Sequence, residues 1–101
     1  MDQIKKGSKV TFAEEKKPYT VRSIGSRFAV CTKPFNLKNT TLYTIIDIQE
    51  KIRGTENLIF GLGAETDQDC DEMLCRLESG ETEISYRNRI NLLIQNVVNL
   101  Q

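Results

Sequence analysis

Apolar and polar residues alternate through much of the first half of the chain. Val10 and Phe12 share one face of Gly7–Phe12, which predicts a first strand. Tyr19–Ile24 and Arg27–Thr32 flank Gly25-Ser26, a pair with glycine first, as a type II′ turn requires. A hairpin is predicted there, with Tyr19, Val21, Phe28 and Val30 supplying one apolar face. Pro34 has no N–H to give a ladder, so the sheet is expected to break at Lys33-Pro34. Thr41–Ile48 carries Leu42, Ile46 and Ile48 in phase and predicts a long strand. Gln49–Glu56 reads as a polar turn around Gly54. Leu58-Ile59-Phe60 then reads as a short buried strand that leaves through Gly61-Leu62-Gly63.

The period changes after that exit. Cys70, Met73, Leu74 and Leu77 recur at i, i+3, i+4 and i+7, the stripe of an amphipathic helix over Asp67–Ser79. Thr66 suits its N-cap, Asp67 and Asp69 its positive end, and Gly80 its C-terminal stop. Glu83–Tyr86 predicts one more strand. The tail fits both periods, through Ile90, Leu93, Ile94, Val97 and Val98 or through Ile90, Leu92 and Ile94. Its asparagines and β-branched residues favour a strand to Ile94, with residues 95–101, like residues 1–6, loosely ordered.

Short strands, an early hairpin and a single helix predict one domain over residues 1–101 of the α+β class. Its core element is a small bent antiparallel sheet of SH3-like barrel type, five to six strands, with one amphipathic helix packed on it. The apolar segment Ile90–Leu100 is suited to adding to a sheet edge, its own or a second copy's, so a homodimer is a possible assembly.

Composition narrows the chemistry. The chain has no histidine, which excludes Ser-His-Asp and Cys-His catalysis and every histidine metal site. A non-enzymatic protein is expected, with Asp47 and Glu56 as the only carboxylates worth pairing. The three cysteines, Cys31, Cys70 and Cys75, are an odd set behind a start that lacks a signal-peptide hydrophobic run. Reduced thiols in an intracellular protein are the expectation. Cys70 and Cys75 diverge by roughly 140° around a helix, so no metal and no cofactor are expected. No apolar run approaches the ~20 residues of a membrane span.

Charge supplies the functional readings. Residues 1–53 carry eleven Lys/Arg against five Asp/Glu, whereas residues 54–101 carry three against nine. In the basic half, Arg22, Arg27, Lys33 and Arg53, joined by Arg87 and Arg89, are interleaved with Tyr19, Phe28, Phe35, Tyr43 and Tyr86. Basic residues with aromatics on a small barrel suit nucleic-acid or nucleotide binding. Of those aromatics, Phe35 and Tyr86 are the expected exposed platform. Glu56 and Asn57 join Arg53 as polar groups able to orient such a ligand, although Glu56 paired to Arg53 within a turn fits the same string. A pI near 6.3 lacks the strongly basic signature of a nucleic-acid protein.

The acidic half supports a different class. Glu65–Glu83 holds eight carboxylates against one Arg76, so Asp69, Asp71, Glu72 and Glu78 form a candidate surface for a host or defence protein. Such a surface would act as an inhibitor or nucleic-acid mimic. An ordinary solvated helix face and internal charge complementarity explain the same residues. The Gly61-Leu62-Gly63 exit invites a dinucleotide reading, but Glu65, Asp67 and Asp69 would repel a phosphate by an amount similar to or larger than the ~1 kcal/mol that a helix dipole supplies. The run Ala13–Pro18 is neutral overall and reads as a solvated loop.

The strings Arg27–Asn36, Tyr43–Asp47 and Arg53–Asn57, with Arg87-Asn88-Arg89, resemble small accessory proteins of bacteriophages, prophages and conjugative elements. The resemblance spans roughly residues 7–94. It implies a bacterial cytoplasm and an accessory role in a mobile element, and it supplies no activity and no catalytic residues.

Overall fold

A computed structural model describes residues 3–34, 41–56, 66–85 and 93–99. The strands are β1 (Lys9–Phe12), β2 (Tyr19–Ile24), β3 (Phe28–Pro34), β4 (Thr41–Asp47), β5 (Ile52–Glu56), β6 (Ile84–Ser85) and β7 (Ile94–Val98), with helix α1 (Asp67–Glu78) between β5 and β6. They form one antiparallel sheet in the order β6-β5-β4-β3-β2-β1-β7.

That sheet is curled. Val97 on β7 and Ile46 on β4 belong to one buried cluster with Val10, Phe12, Tyr19, Val21, Ala29 and Cys31, although three strands separate them in the ladder. Residues so far apart meet only when their face is concave. A bridge from Ile52 to Leu93 brings β5 to the entrance of β7, so the two sides of the curl touch. The result is a small α+β domain with a barrel-like sheet, the class that the strand pattern predicts. Curling in this way brings together strands that a flat sheet would hold apart.

The opposite face carries α1. Cys70, Met73 and Leu77 pack on Val30 and Ile45, with Phe28, Tyr43, Leu74 and Ile84 at the margin. Thr66 caps the helix, its side chain accepting from the Asp69 N–H while the Asp69 carboxylate accepts from the Thr66 N–H. Such a capping box satisfies two of the amides that a helix start leaves open. Ser79 is the C-cap, and Gly80 follows with φ of 84°.

Five details differ from the reading of the chain. Phe28 and Val30 face the helix, whereas Tyr19 and Val21 face the interior, so the hairpin has two apolar faces. The turn between β2 and β3 is closed by Gly25 N–H donating to Phe28 O at 2.8 Å, and Gly25 is not among the residues with positive φ. Ser26-Arg27 is therefore at its centre, and the type II′ assignment does not hold. Pro34 ends β3 opposite Thr41, past the last pairing with β2 at Thr20 and Thr32, where a missing N–H costs little.

Ile52–Glu56 is strand β5, not a turn. Ile52 is buried, Arg53 faces inward opposite Ile46, and the side chain of Ile84 lies over Gly54 where a Cβ would collide with it. The tail continues as β7 beyond Ile94, with Val97 buried against Val10, and so adds to an edge of its own sheet. Asn99 then donates to Gln3 O at 2.9 Å and accepts from Ser8 Oγ, tying the tail to the first residues. The Leu58–Phe60 strand, the glycine exit, Phe35 and Tyr86 lie outside the described residues.

Candidate functional site

A bulge in β2 decides where the first basic residues point. Val21 pairs Cys31 and Ser23 pairs Val30, which leaves Arg22 as the extra residue. Two successive side chains, Arg22 and Ser23, then lie on the helix-bearing face. Arg22 pairs Asp67 at 2.6 Å and reaches Thr32 Oγ1 at 3.2 Å, and Ser23 donates to Asp71. The Arg22 guanidinium holds the Asp67 carboxyl below its usual range, first by hydrogen bonding and then by charge.

The hairpin tip is equally committed. Glu78 Oε1 accepts from the backbone N–H groups of Arg27 and Phe28, each at 2.9 Å, and its Oε2 accepts from Ser26 Oγ at 3.0 Å. Desolvation works against the Glu78 charge, but those donors prevail and lower its pKa. A Cβ at Gly25 would strike the Glu78 carboxylate, so close approach selects glycine there. Arg27 lies over the Phe28 ring at 5.2 Å and donates to the fully buried Asp47 at 3.1 Å. Asp47 also accepts from the Gln49 and Glu50 amides, which closes the β4–β5 turn. An open groove of about 560 Å³ runs between this tip, Gln49 and the Ser79–Ile84 segment.

Lys33 and Arg53 are arranged differently. Both project to the inner face at one end of the curl. Lys33 Nζ sits 4.4 Å from the Tyr19 ring centre, and the Arg53 guanidinium lies 4.0 Å from Phe12 and 5.3 Å from Tyr19. The two rings meet edge to face at 5.7 Å and form the floor. Cations over aromatic faces gain about 1–2 kcal/mol where water is partly excluded. Glu15 lies across both: Oε1 accepts from Lys33 Nζ at 3.2 Å, and Oε2 accepts from Arg53 Nη2. These side chains are largely covered, with Lys33 16%, Arg53 21% and Glu15 27% exposed.

This mouth holds two cations against one carboxylate. The Arg53 Nε–H is buried without a hydrogen-bond partner among the described residues. A buried donor left open costs about 1–3 kcal/mol, so the vacancy needs an explanation. Cys31, deep below the floor, is made inert by burial, which pushes its thiol far up. Among the described residues no three His, Cys, Asp or Glu side chains are placed to hold a metal ion, and no helix is long and apolar enough to cross a membrane.

The residues expected to bind thus separate into three places. Lys33 and Arg53 come together at the mouth. Arg22 lies on the helix face, and Arg27 lies six residues before Lys33 along an extended chain, roughly 20 Å away. Glu56 ends β5 opposite Ile84, while Asn57, Arg87 and Arg89 lie outside the described residues. Of the expected partner surface, Asp69 serves the capping box, Asp71 accepts from Ser23, Glu78 holds the hairpin and Glu72 accepts from Gln68 at 3.3 Å. Sequence reading missed Glu15, because charge in a neutral loop carries no mark of where it folds. Arg53 pairs this Glu15, while the side chain of Glu56 lies outside the described residues.

Comparison with protein-family models, with curated proteins and with solved structures finds no match to this chain.

Proposed function

We propose that this protein is a non-enzymatic binding module for a small anionic ligand of the nucleotide class, held at the mouth of the curled sheet by Lys33 and Arg53. One observation carries the reading: among the described residues, two cations on an aromatic floor share a single carboxylate while a buried guanidinium N–H has no hydrogen-bond partner. A discrete site fits better than a nucleic-acid track. Arg22 lies on the opposite face of the sheet and Arg27 toward the other end of β3, and they already engage Asp67 and Asp47, whereas a track needs basic groups along a continuous groove. The acidic helix supports the partner-binding alternative less well, since its carboxylates serve contacts within the chain. The resemblance to accessory proteins of phages and conjugative elements supports a role in a bacterial cytoplasm.

The test is calorimetric titration at low salt with adenosine monophosphate and, separately, a single-stranded oligothymidylate. Monophosphate binding that weakens about tenfold, or 1.4 kcal/mol, in Lys33→Gln is the expected result. Oligonucleotide binding with a salt slope near −0.7 per contacted phosphate would replace the discrete site by a track. No heat with either probe, and no rise in melting temperature at millimolar monophosphate, would remove the reading.

A further inference from the structure

The donors at the mouth outnumber the acceptor atoms that meet them. On a guanidinium, Nε–H and Nη2 lie on one edge, the edge that takes a carboxylate with two parallel hydrogen bonds. Glu15 does not bind that edge in this manner. It gives one oxygen to Arg53 Nη2, turns the other to Lys33 Nζ, and leaves Nε without an acceptor. Three donors from two residues therefore face a group with two oxygens.

A carboxylate cannot satisfy all three with one oxygen each, and neither can a phosphodiester, which also has two non-bridging oxygens. A terminal phosphoryl group has three. With one oxygen on Nε, one on Nη2 and one on Nζ it would saturate the site. Its charge of about −1.5 to −2 near neutral pH would also match two cations better than the single charge of Glu15.

Access points to the same exchange. The Arg53 Nε atom is sealed from solvent, so an anion reaches it only if side chains at the mouth move, and Glu15 is the one bonded to both cations there. Glu15 belongs to the β1–β2 loop and not to a strand, and its neighbour Glu14 has φ of 68°. That left-handed backbone costs about 1–2 kcal/mol in a residue with a Cβ.

Resting on the binding reading above, we infer that Glu15 is a tethered stand-in for the ligand, and that the ligand is a phosphomonoester whose terminal phosphoryl displaces it. Glu15 then sets specificity. Monocarboxylates and diesters gain nothing by replacing a carboxylate that is already tethered in place.

The inference is tested by titrating inorganic phosphate, acetate and dimethyl phosphate into the wild-type protein, Glu15→Gln and Lys33→Gln. Circular dichroism and melting curves confirm that each variant is folded, and Glu15→Asp serves as a second variant that keeps the charge but shortens its reach. Phosphate should bind the wild type, bind Glu15→Gln about tenfold tighter, and bind Lys33→Gln more weakly. Acetate and dimethyl phosphate should not compete in the wild type. Equal or weaker phosphate binding in both Glu15 variants, with Lys33→Gln still impaired, overturns the stand-in role and leaves the site standing. Dimethyl phosphate binding as well as phosphate overturns the three-oxygen argument. Failure of all three probes on every variant removes the binding reading itself.

Discussion

The two faces of the curled sheet treat charge in opposite ways. On the helix-bearing face, Asp67 meets Arg22, Asp71 meets Ser23, Glu78 meets three donors and Asp47 meets Arg27 and two amides. Each of these four carboxylates ties the helix or a turn to the sheet. At the mouth of the inner face, two cations share Glu15 and one donor stays open. Among the described residues one ion pair, Arg22 with Asp67, joins the basic half of the chain to the acidic half, and the other three lie within the basic half. Charge in surplus, not charge in abundance, marks the place where a ligand is expected.

The sharpest way to break this comparison is to remove the inner floor. Phe12 is fully buried and supports the Arg53 guanidinium. Phe12→Ala should cost about 3–5 kcal/mol by denaturant unfolding. The matching change on the other face, Leu77→Ala, should cost about 2–4 kcal/mol and leave phosphate affinity unchanged. A larger loss from Leu77→Ala would make the helix layer, not the interior of the curl, the main source of stability.

A smaller effect is expected where the outer face buries its one carboxylate. Asp47 is fully covered and anchors the β4–β5 turn through the amides of Gln49 and Glu50. Asp47→Ala should lose about 3 kcal/mol, as breaking a buried charged pair does. Asp47→Asn, which retains an acceptor, should lose less. Equal losses for the two would show that the space, not the acceptor, matters.

Smallest is the contribution of Glu78, an exposed residue whose hydrogen bonds are worth about 1 kcal/mol after screening by solvent. Its pKa in the fold lies below the ordinary 4.5. The stabilisation is therefore complete above that value and is lost as pH falls through the lowered one. Melting temperature should drop below about pH 4.5 in the wild type, and Glu78→Gln should show a shallower drop from a lower start. Parallel curves for both proteins would assign the acid sensitivity to Asp67, whose pKa Arg22 lowers in the same direction.

The sequence by itself determined most of the elements. Alternation located β1, β2, β3 and β4, because a residue's face in a strand follows from its parity alone. The spacing of Cys70, Met73, Leu74 and Leu77 and the Thr66 cap determined α1 for the same local reason. Strand β5 escaped, since Ile-Arg-Gly-Thr-Glu has an arginine facing inward and a glycine where Ile84 needs room. Neither feature has a meaning until the sheet curls. The β2 bulge also inverts parity midway, so that Arg22 and Ser23 face the helix together. Only the tertiary structure decided which cations were spoken for. Pairing between Glu15 and Arg53 spans 38 residues, and no local pattern records a contact that arises when a loop folds over the end of a curled sheet.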